Sequence, residues 1–217
     1  MALFAISYVE LTLVTIGRSE KTNPLLGSLD FIKDRNNSNG LTINNWIADS
    51  ISKSAVEKTR DPEKSEKFAS AVKSLESAIA EITGWKVEFD LRTDPFDLRL
   101  KLNNQDLDFD VLPDGLRSLI SWIGDLLMRV DSLKWNDDLP AFEKNLILFL
   151  DEIEVHLHPA WQRKVLPVVQ KLFKNSQIFI STHSPFVVNS VDGAWVYKLK
   201  VKNGKARRKT HSFRRWI

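Results

Sequence analysis

The chain has no cysteine, which removes disulfide frameworks and thiolate metal sites from consideration. It also lacks an apolar run long enough to span a bilayer. Its most apolar stretch, the opening MALFAISYVELTLVTIG, is interrupted by Glu10 and carries neither a basic n-region nor a small-residue cleavage site. A cytoplasmic chain whose first residues form a buried strand is the expectation. Internal repeats and low-complexity segments are absent. No Gly-x-x-x-x-Gly-Lys-Ser/Thr stretch occurs, so the usual phosphate-cradling loop is missing from this sequence. What is present is an ordinary globular composition: 217 residues, 43% hydrophobic and 27% charged. That is length enough for one good-sized domain or two small ones.

Net charge is only +3, but it is unevenly spread. The segment KLKVKNGKARRKTHSFRRWI (198–217) holds nine Lys or Arg and no acid. Such a block attracts polyanions through counterion release. It reads equally well as a solvated strand pair, YKLKV and KARRKT, around an Asn203-Gly204 turn. Both readings stay open at this point.

Organisation follows from periodicity. Residues 1–30 offer one or two short strands and a turn at Asn23-Pro24, and IKDRNNSNG (32–40) reads as a loop. From Thr42 to Ile82 the pattern is helical with a break over TRDPEKSEK (59–67). Phe68, Val72, Leu75, Ile79 and Ile82 recur at helix spacing, giving a helical hairpin with a charged tip. WKVEFDLRTDPFDLRLKLNNQDLDFD (85–110) alternates with period two around Asp94-Pro95 and predicts antiparallel strands.

Beyond residue 110 the character changes. DGLRSLISWIGDLLMRVDSL (114–133) lines up Leu116, Leu119, Ile120, Ile123, Leu127 and Val130 on one helical face. Asp114 reads as its N-cap, after Pro113 and before Gly115. A helix start of this kind can hold phosphate, or can be an ordinary cap. Next come two apolar runs, LILFL (146–150) and QIFIS (177–181), of the kind seen in strands buried on both faces. PAWQRKVLPVVQKLF (159–173) lies between them with helical spacing. Pro159 suits a first turn, whereas Pro167 predicts a kink or break. Strand, helix, strand makes a parallel βαβ unit, and ligands of such sheets sit beyond the carboxyl ends of the strands.

Both runs end there in polar residues: Asp151-Glu152 and Thr182-His183-Ser184. Adjacent carboxylates at the exit of a buried strand make sense where a cation and a reaction meet. Asp151 is expected to hold Mg²⁺ through its water shell. Glu152 is expected to orient and deprotonate an attacking water, with His183 sensing a γ-phosphate. The i, i+2 pair His156 and His158 fits a Zn²⁺ site less well, since no third convergent histidine is evident beyond His183.

LILFLDEIEVHLHPAWQRKVLPVVQKLFKNSQIFISTHSPFVV closely resembles the C-terminal half of ABC-class AAA ATPases of the SMC-like and OLD-like group. In that family LPDGLRS (112–118) corresponds to the signature segment, LILFLDE to Walker B, HLHPAWQ to the D-loop region and STHSP to the switch histidine. These motifs cover about residues 110–190. The resemblance implies a partial α/β ABC-ATPase, P-loop NTPase-like, with a parallel sheet, flanking helices and a lobe of helices and antiparallel strands. Four segments follow from it: N-terminal strands of an incomplete ATPase lobe (1–30), a lobe-II-like helical hairpin with strands (31–110), a core of signature helix, Walker B, D-loop and switch histidine (111–197), and a basic hairpin or tail (198–217). ATP and Mg²⁺ are the implied cofactors. Asp151 is the implied Mg²⁺ residue, Glu152 the base and His183 the switch, and Asp114, Gly115, Leu116 and His158 are implied in nucleotide contact.

The chain departs from the family twice. It has no P-loop, and Pro113 stands where the signature usually has serine. The implied whole is an ATPase that dimerises head to tail, as a homodimer or with a P-loop-bearing partner chain, in bacterial DNA maintenance or antiphage defence. It has no membrane partner. The alternatives are an inactive ATPase-like module, a metal-dependent nuclease using Asp151, Glu152 and the histidines, and a DNA- or RNA-binding module acting through the basic tail.

Overall fold

Asp61-Pro62 sets the start of the longest helix. In the computed structural model the Asp61 carboxylate accepts a hydrogen bond from the Lys64 amide at 3.0 Å, and Pro62 occupies the first turn. Pro62 has no amide to leave unpaired there and its φ is already helical. The structure describes residues 2–6, 39–132, 143–202 and 205–212. They divide between two units, one made of residues 1–15 and 142–217 and the other of residues 16–141.

The second unit is built on three helices: α1 (Asn39–Glu57), α2 (Pro62–Thr83) and α3 (Asp114–Ser132). A three-stranded antiparallel sheet accompanies them, in the order β2 (Val87–Thr93), β3 (Phe96–Leu102), β4 (Gln105–Leu107). Ile43 and Ile47 of α1, Leu75, Ile79 and Ile82 of α2, and Leu116, Leu119, Ile123 and Leu127 of α3 are all at most 2% exposed. Each such side chain contributes about 1.5–3 kcal/mol on burial, so this shared apolar core holds the unit together. The helices approach closely at Gly124, where an added Cβ would lie 3.1 Å from Ile43 Cγ2.

Two expectations shift here. The break in the helical hairpin covers only residues 58–61, because Glu63–Lys67 already belong to α2. Charge in those residues marks a solvated helix face and not a loop. Asn39 and Gly40, read as the end of a loop, begin α1; the rest of that loop and the Asn23-Pro24 turn lie outside the described residues.

Glu76 ties α2 to the sheet, accepting the Phe89 amide at 2.7 Å. Burial raises its pKa above the ordinary carboxylate value, opposed in part by that hydrogen bond. A carboxyl whose folded pKa is raised contributes stability below its unfolded pKa, and the contribution is lost as pH rises through the folded pKa. Glu76→Gln keeps an oxygen for Phe89 and removes the buried charge. The variant is therefore expected to be more stable than wild type at pH 7 and equal to it near pH 4, as read by urea unfolding at both pH values.

The first unit holds the βαβ motif. β5 (Leu146–Asp151), α4 (Pro159–Leu172) and β6 (Ser176–Thr182) follow one another, and β5 and β6 pair in parallel with Leu148 opposite Ile178. The sheet is mixed, in the order β5-β6-β1-β7-β8. β1 (Ala2–Ile6) runs antiparallel to both β6 and β7 (Trp195–Lys202), and β8 (Lys205–Ser212) is antiparallel to β7. A four-residue helix, α5 (Pro185–Val188), follows β6.

α4 continues through Pro167, so of the expected kink or break the break does not occur. Val165, Leu166, Val168 and Val169 around the proline are at most 2% exposed, and their packing outweighs the one backbone hydrogen bond that Pro167 forgoes.

Burial of the strands on both faces also fails. Leu146, Leu148, Ile178 and Ile180 are buried, but of the residues between them Ile147 and Phe179 are only half-buried and Phe149 is 77% exposed. Phe149 instead stacks on Phe179, with centroids 5.0 Å apart. A run of apolar residues reports total hydrophobicity, and cannot say that only one face is covered.

Candidate active site

Parallel pairing brings the carboxyl ends of β5 and β6 side by side, with Asp151 opposite Ser181. The Ser181 hydroxyl donates to Asp151 Oδ1. One residue on, the Glu152 amide donates to the Ser181 carbonyl at 3.0 Å, extending the ladder past the strand. Glu152 then leaves the strand direction with φ 47, in the left-handed region. A non-glycine residue there carries backbone strain of about 1–3 kcal/mol, held in place by its surroundings.

That turn brings the Glu152 carboxylate 3.4 Å from His183 Nε2, and the two side chains are 44% and 65% exposed. Asp151, Glu152 and His183 are thus gathered at one edge of the sheet, open to solvent. An exposed carboxylate paired with an imidazole can orient a water and accept its proton.

Asp151 together with the Ser181 hydroxyl offers hard oxygen donors, but few of them. Among the described residues no group of three or more His, Cys, Asp and Glu could hold a metal ion. This donor set fits Mg²⁺, which keeps most of its waters and takes one or two carboxylates plus substrate phosphates.

His158 has a structural partner. It is the N-cap of α4, and its Nδ1 accepts the Ala160 amide at 3.2 Å. His156, at φ 65, is exposed on the preceding turn.

Asp114, Gly115 and Leu116 belong to the second unit, in the first turn of α3. Asp114 is exposed, whereas Gly115 and Leu116 are buried, so Leu116 offers only its backbone. Asp114 is not the N-cap: the Pro113 carbonyl accepts the Arg117 amide at 3.0 Å, which makes Asp114 the first helical residue. Proline at the cap leaves side-chain capping undone. The Arg117 guanidinium folds back instead, donating to the carbonyls of Asp110 at 2.9 Å and Leu112 at 3.2 Å.

Sequence reasoning missed Glu154. Only 8% exposed, it takes three donors on Oε1: the Thr182 hydroxyl, the His183 amide at 2.7 Å and the Ser184 amide at 3.1 Å. Its other oxygen is buried without a hydrogen-bond partner among the described residues, a state that costs about 1–3 kcal/mol. A faint signal existed in the sequence: Glu154 is a third acid flanked by the apolar Ile153 and Val155.

The family model described as "AAA domain, putative AbiEii toxin, Type IV TA system" matches residues 19–189. The retron Ec83 probable ATPase of Escherichia coli is 36% identical over 110 residues, which are 51% of this chain and 20% of the relative. The retron Vc95 probable ATPase of Vibrio cholerae is 30% identical over 122 residues, 54% of this chain and 22% of the relative. The Septu protein PtuA of Bacillus thuringiensis is 29% identical over 101 residues, 46% and 26% respectively. The matched part of the chain therefore spans about a fifth to a quarter of the length of these relatives.

Two solved structures share the fold. An SMC head bound to the C-winged helix domain of ScpA has a TM-score of 0.50 at 16% identity, covering 78% of this chain and 53% of the other. An SMC ATPase studied for ATP-driven dimerisation and DNA-stimulated activation has a TM-score of 0.51 at 14% identity, covering 74% and 89%. With its family match running over most of its length and its fold that of SMC heads, the chain belongs to this AAA domain family and is an ABC/AAA-type ATPase family member.

Proposed function

We propose that the chain supplies the water-activating part of a Mg²⁺-dependent ATPase site. The observation that carries this reading is the 3.4 Å approach of Glu152 to His183 at the ends of adjacent parallel strands, with Asp151 beside them, in a chain of an ATPase family. Glu152 orients a water and takes its proton as the water attacks the terminal phosphate. His183, with its ring nitrogen facing that carboxylate, steadies Glu152 and donates toward the phosphate oxygens. Asp151 holds the hydrated Mg²⁺, which when bound neutralises phosphate charge. Asp114 and the first amides of α3, with the backbone of Gly115 and Leu116, contact the nucleotide of a partner in a head-to-tail dimer. His158, in the D-loop region of the first unit, is a further nucleotide contact.

The phosphate-cradling lysine and amides come from a P-loop-bearing lobe or partner chain, since this sequence has no such motif. The 217-residue chain alone is therefore expected to release phosphate from Mg-ATP no faster than its Glu152→Gln variant. Adding a P-loop-bearing lobe is expected to raise turnover in wild type only. Turnover of the isolated chain above that control would overturn the assignment of the missing contacts. No turnover with any P-loop-bearing lobe would favour an inactive, partner-binding module. Retron and Septu relatives support a setting in bacterial antiphage defence.

A second reading, contact with nucleic acid, is supported by the register of β7 and β8. It pairs Lys198 with Lys209, Lys200 with Arg207 and Lys202 with Lys205. Like charges directly opposite one another destabilise a strand pair, and a phosphate backbone lying along them relieves that repulsion.

A further inference from the structure

We infer that Glu154 is the positioning residue of this site, holding His183 and the Glu152 loop together as one unit. The inference rests on the reading of Glu152 and His183 as a working pair. Glu154 lies two residues beyond Glu152, on the turn that leads into α4. Its flanks are anchored in the core: Ile153 is 6% and Leu157 5% exposed. From there its carboxylate reaches the end of β6 and collects the His183 and Ser184 amides at 2.7 and 3.1 Å, together with the Thr182 hydroxyl. The bonds to His183 and Ser184 are to backbone, so Glu154 sets the path of the chain that carries the imidazole. The imidazole itself stays exposed for chemistry.

Gln162 completes the arrangement from α4. Its Nε2 donates to the Leu157 carbonyl at 2.9 Å, and its Oε1 accepts the Ser184 hydroxyl at 2.6 Å. The Ser184 hydroxyl in turn caps α5 through the Phe186 and Val187 amides. The loop after β5 and the turn after β6 are therefore cross-linked twice, through Glu154 and through Gln162. Three donors converge on this one carboxyl oxygen, and hydrogen bonds to a carboxylate are about twice as strong as neutral ones. Fold stability alone does not account for the choice, because the second oxygen is buried with no partner among the described residues.

The test uses the full chain and no nucleotide, so its outcome is separate from that of the ATPase reading. Backbone amide exchange is measured by NMR in wild type, Glu154→Ala and Glu154→Gln. Glu154→Ala is expected to speed exchange at His183 and Ser184 by about 10- to 100-fold, the loss of bonds to a charged acceptor. Amides of Ile178 and Ile180 in β6 keep their wild-type rates, and Glu154→Gln, which retains an acceptor, falls between.

A second measurement separates positioning from mere support. In wild type, Glu152→Gln is expected to shift the His183 ring resonances, because the two groups are 3.4 Å apart. In a Glu154→Ala background the same change leaves them unmoved. Unchanged exchange at His183 overturns the inference, as does a uniform rise through β5, β6 and α4, or a ring response that survives in the double variant. If Glu154→Ala does not fold, Glu154→Gln decides by itself: faster exchange at His183 and Ser184 alone upholds the inference, and wild-type rates overturn it.

Discussion

Glu152→Gln is expected to lower ATP turnover by about 10²–10⁴-fold in the ATPase completed by a P-loop-bearing lobe, with ATP affinity changed no more than a few-fold. The amide has the shape of the carboxylate and keeps an oxygen facing the His183 ring. It cannot take a proton from water at neutral pH, so binding survives while the chemical step fails. An assembly loaded with unhydrolysed ATP is then expected to live longer, and size-exclusion chromatography with ATP will read this as a persistent dimer.

Asp151→Asn should separate cleanly from it. Removing that charge weakens the attraction for hydrated Mg²⁺, so the loss appears in nucleotide affinity and in the Mg²⁺ concentration needed for half-maximal turnover. Normal turnover in Glu152→Gln would remove Glu152 as the base. A matching loss of affinity in both variants would mean that the two carboxylates act together on the cation.

The second large effect belongs to the β7–β8 hairpin. If the six cations paired in register each neutralise one phosphate of duplex DNA, the slope of log affinity against log salt is about −5. Affinity then falls on the order of a thousandfold between 50 and 200 mM salt. Replacing Arg207, Arg208 and Lys209 with alanine removes two of those six cations, Arg207 and Lys209, so it flattens the slope by about 1.8, at 0.9 per lost contact, and weakens all sequences alike. Filter binding of both proteins at two salt concentrations measures this, with single-stranded RNA alongside to compare strands. Equal slopes for the two proteins would leave the hairpin as a solvated sheet edge.

The parts of the fold that local pattern specifies were legible in the sequence. Apolar runs of strand length flanking a helical period gave β5, α4 and β6. Helix spacing gave α2 and α3, and period-two alternation gave the β2–β3 pair. Misreadings arose where packing overrides a local signal or where one signal has two meanings. Pro167 stays within α4 because four buried neighbours hold the helix on both sides. Glu63–Lys67 looked like loop by charge, although Asp61-Pro62 just before them carried a helix-start signal.

The site divides in the same way. Asp151, Glu152 and His183 could be singled out because each stands at the end of a recognisable strand, and parallel pairing does bring them together. Glu154 was not found because its partners are about thirty residues away in sequence, and only strand pairing brings them near. The exposure of Phe149 was equally invisible, since it depends on which sheet face is covered.

The left-handed backbone at Glu152 has a consequence for how such a chain would change over generations. At φ 47 every residue with a side chain is disfavoured, and glycine alone sits there without strain. Selection for folding by itself therefore pushes this position toward glycine, and only selection for the carboxylate pushes back. A copy released from catalysis would lose its acid here early, without first losing its fold. If Glu152 is the base proposed above, the residue at position 152 in any given relative would gauge whether that relative is still under selection to turn over ATP.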